Sequence, residues 1–138
     1  MNLTTSMLQL ASALDGRLVE YTSEINVILV PVTSHHCQAV IGQRVEKNGR
    51  AIIEFSSKVC ELCANRENHQ IILRLNQELF YSKVIIHEDQ LRVTAECLAD
   101  QFTEPLMASI IAEVATVAYN LDHREINAET PETPVFAQ

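Results

Sequence analysis

The chain has 138 residues, of which 47% are apolar and 20% are charged, and this composition suits one globular domain with its own core. Acidic residues outnumber basic ones by 18 to 10, for a net charge of −8, which argues against binding to nucleic acids and to anionic membrane surfaces. Aromatic residues make up 5% and tryptophan is absent, which argues against a base-stacking platform.

The first segment of the chain predicts a helix. Leu3, Met7, Leu10 and Leu14 share one face at helical spacing. Asp15 and Gly16 follow, and we expect Gly16 to end the helix, because glycine adopts the left-handed conformation at low steric cost.

Three antiparallel strands are predicted next. Residues 24–32 are rich in β-branched residues and apolar on both faces, so this strand must be covered on both faces. The second strand, over 37–45, places on one face Cys37, Ala39, Ile41 and Val45. The pair Asn48-Gly49 favours a type I′ turn, because both central residues need positive φ. The third strand places inward Ala51, Ile53 and Phe55.

The second half of the chain predicts a helix, a hairpin and a last helix. Residues 57–63 fit either a helix start or a loop across the sheet. Apolar residues over 68–79 recur at helical spacing, and strands over 81–86 and 91–97 are joined by a polar turn.

The last helix has a clear predicted start and is followed by a tail. Thr103 is a good N-cap, Glu104 suits the positive end of the helix dipole, and Pro105 is tolerated in the first turn. Residues 126–138 are rich in Glu, Thr and Pro and predict a flexible tail. The domain therefore spans residues 1–125. Its order of elements predicts an α+β fold, in which helices pack on a twisted antiparallel sheet.

This order of helix, three strands, helix, two strands and helix resembles the type III secretion chaperone-like fold. Between Ile72 and Val84, a helix ends in a Leu-Asn pair and runs directly into a strand. A polar hairpin and the helix start Thr-Glu-Pro-Leu follow. This succession, over residues 3–122, is similar to the YbjN-like members of that superfamily, especially to cyanobacterial members of unknown function.

The resemblance implies a non-enzymatic role. Chaperones of this fold are usually homodimers that hold an extended segment of a client protein along exposed apolar grooves. The resemblance brings no catalytic residue, metal or cofactor. It also does not imply secretion, because many organisms with this fold family lack an injection apparatus.

Cys60 and Cys63 form the main chemical motif. Two thiolates at this spacing can share a zinc ion or form a redox pair. A structural zinc site takes four ligands, and the chain has no second pair of this kind. The fold would have to supply the other ligands from Cys37, Cys97, His35, His36 and His69. We favour reduced cysteines that act as small apolar residues.

The remaining polar motifs do not indicate an enzyme. We interpret His35 and His36 as solvent-exposed loop residues, with a metal or pH-sensitive site as the alternative. The sequence contains no recognisable nucleophile triad, catalytic carboxylate pair or glycine-rich phosphate loop. The start of the chain has no secretion-signal pattern, and the longest apolar run, Val27 to Val32, is far shorter than the roughly 20 residues of a membrane span. We expect a cytoplasmic protein.

Surplus apolar surface is the most informative feature. A sheet with helices on one side needs only one apolar face, whereas residues 25–32 offer two. Either helices cover both sides, or another chain covers the remainder. In the second case we expect a homodimer or a client groove, reached at a sheet edge by strand addition. The expected partner contacts are Ile28, Val30, Val40 and Ile52.

These observations lead to a protein-binding module, chaperone-like or an adaptor, without enzymatic activity or cofactor. Two alternatives stay open at this point. One is a regulatory protein without a role in client folding, and the other is a thiol- or metal-dependent protein that uses Cys60 and Cys63.

Overall fold

The computed structural model describes residues 3–22, 24–61, 66–88 and 90–125. Within these ranges the chain forms three α-helices and six β-strands, so the predicted α+β class is confirmed. The elements are α1 (Leu3–Ala13), β1 (Arg17–Tyr21), β2 (Ile25–Pro31), β3 (Cys37–Lys47), β4 (Arg50–Glu61), α2 (Arg66–Asn76), β5 (Lys83–His87), β6 (Gln90–Leu98), a short 3-10 helix (Ala99–Gln101) and α3 (Glu104–Glu125). The predicted tail, 126–138, lies outside the described residues.

The six described strands form one antiparallel sheet in the order β1-β2-β3-β4-β6-β5. Strands β1 to β4 follow the chain order, whereas the hairpin of β5 and β6 joins the sheet through β6. This places β1 and β5 at the two edges.

The described helices pack on one face of this sheet. Helix α1 lies against β1 and β2, α3 lies against β3, β4 and β6, and α2 lies against β5. The strands contribute to the core beneath them Ile28, Val40, Phe55, Val84 and Val93, each exposed by 2% or less. Ile72 and Leu75 of α2 belong to the same core.

Two predicted local features, the turn between β3 and β4 and the start of α3, are confirmed. Asn48 and Gly49 have φ values of 53° and 75°, as the type I′ turn between β3 and β4 requires. Helix α3 begins directly after Thr103, whose carbonyl oxygen accepts a hydrogen bond of 3.0 Å from the Met107 N–H.

The end of α1 differs from the prediction in which residue is left-handed. Asp15, not Gly16, has a positive φ, 57°. The Gly16 N–H donates to the Ala11 carbonyl at 2.8 Å, and the Asp15 N–H donates to the Ser12 carbonyl at 3.2 Å, a Schellman arrangement. Gly16 is needed for a different reason, because a Cβ atom there would clash with the carbonyl oxygen of Leu29.

The structure adds one strand to the prediction and lengthens another. The added strand is β1, which is only five residues long and whose pairing with β2 is interrupted by a bulge between Leu18 and Glu20. Residues 57–61 form neither a helix nor a loop, because β4 continues to Glu61. Their pairing with β6, which extends to Glu61 opposite Gln90, accounts for the added strand length.

The face of β3 that touches the helices contains Val40 and Gly42, which are buried. The face predicted from Cys37, Ala39, Ile41 and Val45 points away from the helices, and its first two residues are exposed. Gly42 leaves space for Met7 of α1, because a Cβ atom on residue 42 would lie 2.5 Å from the Met7 Cε. Gly42 therefore allows α1 to lie close to the Val40 and Gly42 face of β3, which is the buried face.

Candidate interaction surfaces

The structure places three of the four expected partner contacts in the core and the fourth on the opposite face of the sheet. Ile28, Val30 and Val40 lie beneath the helices and are 0%, 4% and 0% exposed, so they belong to the core and are not accessible to a partner. Ile52 lies on the opposite face of the sheet and is partly exposed. The correction arises because β2 and β3 are apolar on both faces, and only the packing of α1 and α3 decides which face is inside.

The sheet face opposite the helices is covered by none of the described helices, and we call it the open face. Over β2, β3 and the start of β4 it is largely apolar. Three of its cross-strand pairs are apolar, namely Val27 with Ile41, Leu29 with Ala39, and Val45 with Ile52, whereas Ile25 lies opposite Gln43. Ile25 on the same face is 42% exposed. The apolar surplus of the sequence is therefore explained by a face without a helix layer.

The open face becomes charged over β4 and β6. Lys58 lies opposite Arg92, and Glu54 lies opposite Glu96. Between these two like-charge pairs lie Ser56 and Thr94, which also face each other. Like charges directly opposite on neighbouring strands are unfavourable. The acidic pair is partly compensated, since Lys47 Nζ lies 2.6 Å from Glu96 Oε2.

A second surface lies in the loop between α2 and β5. Phe80 is 89% exposed and Tyr81 is 47% exposed. Their ring centroids are 6.5 Å apart and the rings are tilted by 49°. We call this pair the aromatic platform. The chain thus presents two large rings to solvent side by side.

Glu113 of α3 fixes the backbone beneath the aromatic platform. Its Oε2 accepts the Phe80 N–H at 3.1 Å, and its Oε1 accepts the N–H groups of Tyr81 and Ser82 at 3.0 and 2.8 Å. The Ser82 hydroxyl also donates to Oε1. Burial raises the pKa of the Glu113 carboxyl, but the hydrogen bonds from Ser82, Tyr81 and Phe80 outweigh burial and hold this pKa below its usual value.

Asn76, the last residue of α2, forms side-chain hydrogen bonds with the backbone of the edge strand β5. Its side-chain oxygen accepts the Val84 N–H at 2.6 Å, and its side-chain nitrogen donates to the Val84 carbonyl at 3.0 Å. The amide thus occupies the hydrogen-bonding groups that an added strand would need at Val84. Strand addition at this edge is therefore obstructed at Val84, near the start of β5.

The cysteine and histidine motifs are only partly described. Cys63 and the side chain of Cys60 lie outside the described part of the structure, so the thiol or metal hypothesis stays a prediction. Cys37 is exposed, and burial raises the pKa of the half-buried Cys97 thiol. His35 and His36 are exposed in the connection between β2 and β3. The described residues contain no group of three or more potential metal ligands.

No protein-family model matches this sequence, and no curated protein matches it either. Of the helices that the structure describes, none combines the length and the apolar character needed to span a lipid bilayer.

Proposed function

We propose that the protein is a non-enzymatic protein-binding module, chaperone-like or an adaptor, which holds a short segment of a partner protein in the cytoplasm. We further propose that its fold belongs with the type III secretion chaperone-like, YbjN-like proteins. The order of elements behind that resemblance recurs here, with β1 added after the first helix.

The observation that carries the proposal is the exposure of Phe80. A phenylalanine side chain gains about 1.5–3 kcal/mol when it is fully buried, and Phe80 is left 89% exposed. Aromatic side chains, phenylalanine included, are enriched at the cores of protein interfaces. A ring at this position therefore favours contact with another protein.

The hydrogen bonds that Glu113 accepts make the exposed ring a better anchor. Three consecutive backbone N–H groups, those of Phe80, Tyr81 and Ser82, donate to one carboxylate. The loop backbone is thereby held in place before any partner arrives, so less conformational entropy is lost on binding. We infer that the platform selects segments with aromatic or aliphatic side chains, which pack on the two rings.

A random peptide library bound to the purified full chain tests this proposal. Phe80→Ala combined with Tyr81→Ala removes the platform, and Leu8→Ala is the matched control, because Leu8 is 54% exposed on α1. We expect the original chain and the control to select the same apolar peptides. The platform variant should bind them at least about 10-fold more weakly.

Stability measurements separate a loss of binding from a loss of fold. Removing exposed side chains usually changes the free energy of unfolding by no more than about 0.5 kcal/mol. Both variants should therefore unfold at nearly the same urea concentration as the original chain. Equal peptide selection by the platform variant and the original chain would contradict the proposed site.

A further inference from the structure

The like-charge pairs on the open face form an ordered pattern along the strands. Going along β4, the open face carries Glu54, then Ser56, then Lys58. The neighbouring strand β6 repeats the same order, with Glu96, Thr94 and Arg92 opposite them. An acidic row, a neutral row and a basic row therefore lie side by side, each separated from the next by about 7 Å.

This pattern is self-complementary under a two-fold rotation. We place the axis between two facing sheets, perpendicular to the strands, along the row of Ser56 and Thr94. The rotation reverses the strand direction, so the basic row of one copy lies over the acidic row of the other. The same contact occurs twice, as a two-fold interface requires.

The same rotation brings apolar residues together on the other half of the face. Val27 and Ile41 lie in the row of Ser56, so each faces its own equivalent in the second copy. Leu29 lies over Ile25 of the second copy, and Ala39 lies over Gln43, the one polar residue of these two rows on β2 and β3. The interface would thus contain an apolar part beside a charged part. Lys83, in the same central row, is exposed at the edge strand and can extend into solvent.

The size of the open face also favours a whole sheet as its partner. Six strands spaced about 4.8 Å apart, each with about seven residues, present roughly 600 Å². Specific protein interfaces bury at least about 600 Å² on each partner. A stable complex therefore needs nearly the whole face, which a second sheet supplies and a single peptide strand does not.

We propose that the open face binds the open face of a second copy of this chain, with the basic row of each copy over the acidic row of the other. Facing sheets in proteins pack about 10 Å apart with their strands nearly aligned, which fits this arrangement. The aromatic platform lies outside this interface, in the loop that precedes β5.

Charge exchange provides the test. One variant carries Glu54→Lys and Glu96→Lys, and the other carries Lys58→Glu and Arg92→Glu. The original chain should have the mass of a dimer in light scattering. Each variant alone should dimerise at least about 100-fold more weakly, because all four facing rows then carry one sign. An equimolar mixture should restore a dimer that contains one copy of each variant.

The matched control for the first variant changes the net charge by the same amount and in the same direction, but it lies outside the open face. Glu78→Lys combined with Glu104→Lys should leave the dimer unchanged, since both residues are exposed outside the strands of the sheet. Because Glu96 bonds Lys47, the milder single variants Glu54→Lys and Lys58→Glu repeat the test without disturbing that contact. Circular dichroism verifies that each variant is folded.

Other outcomes would overturn the proposal. A monomeric original chain contradicts it, and so does a dimer that both charge variants leave intact. If residues 126–138 cover the face instead, the original chain is monomeric and removal of that segment produces dimers. Peptide selection on the aromatic platform is measured separately on the same variants. If the original chain is a monomer that selects peptides, only the dimer proposal is wrong. If it is a dimer that selects no peptides, only the proposed function is wrong.

Discussion

Replacing Glu113 by glutamine tests whether this side chain holds the aromatic platform in place. The carboxylate accepts four hydrogen bonds from residues 80–82, three of them at Oε1 and one at Oε2. Glutamine keeps the shape of the side chain and one acceptor oxygen. Its NH₂ group must replace the other oxygen, and there it faces an N–H donor of the loop.

The magnitude follows from the bonds that change. If the glutamine oxygen takes the place of Oε1, the bonds to Tyr81 and Ser82 persist without the charge, and the Phe80 N–H loses its acceptor. A hydrogen bond to a charged group contributes about 1.5–3 kcal/mol to stability. Because this site is only half-buried, we take the lower end of that range and expect a loss of about 1.5–2 kcal/mol.

Urea unfolding at neutral and acidic pH measures this loss. The pKa of Glu113 is lowered in the folded chain, so its stabilising effect is complete above the ordinary glutamate pKa of about 4.3 and disappears as the pH falls through the folded pKa. The difference between the original chain and Glu113→Gln should therefore be largest at neutral pH and shrink in acid. Faster amide hydrogen exchange at Phe80 should accompany the substitution.

A control and a contrary result complete this test. Glu78→Gln removes an exposed carboxylate within the same loop and should change neither stability nor exchange. If Glu113→Gln behaves like Glu78→Gln at neutral pH, the carboxylate does not hold the loop. The proposed pre-organisation of the platform would then be wrong.

Three further predictions concern the core and the thiols. Asn26 is 0% exposed and neither polar atom of its side chain has a hydrogen-bond partner among the described residues, so Asn26→Val should raise the free energy of unfolding by about 1–2 kcal/mol in urea titrations. Gly42→Ala should cost about 1–3 kcal/mol, and this cost should fall when Met7→Ala empties the space that the new Cβ enters, as a double-mutant cycle would measure. In a chain with Cys60→Ser and Cys63→Ser, the exposed Cys37 should react with a thiol reagent well before Cys97, whose pKa burial raises, and equal rates would contradict this order.

Local features of the fold were predictable from the sequence. The Asn48-Gly49 turn depends on two residues that tolerate positive φ, and the start of α3 depends on Thr103 and the residues just after it. Strand β6 was recognised by its alternation, with Leu91, Val93 and Ala95 buried. Each of these signals lies within a few residues and needs no distant partner.

The candidate surfaces could be predicted only in part. The apolar surplus over residues 25–32 was visible, but it left open whether helices cover both faces of the sheet or another chain covers one of them. Which residues form that face was not visible, so Ile28, Val30 and Val40 were expected at a partner although they lie in the core. The hold of Glu113 on the loop at Phe80 was not visible either, because the two residues lie 33 positions apart in the chain.

The sequence by itself determined the α+β class, most of its elements and the presence of more apolar surface than one helix layer covers. Only the tertiary structure decided which face of β2 and β3 is buried, since α1 and α3 select one of two nearly equivalent apolar faces. It also decided that Glu54 lies beside Glu96 and Lys58 beside Arg92, because the register between β4 and β6 joins segments about 40 residues apart. The charge pattern from which we infer a second copy exists only in that register.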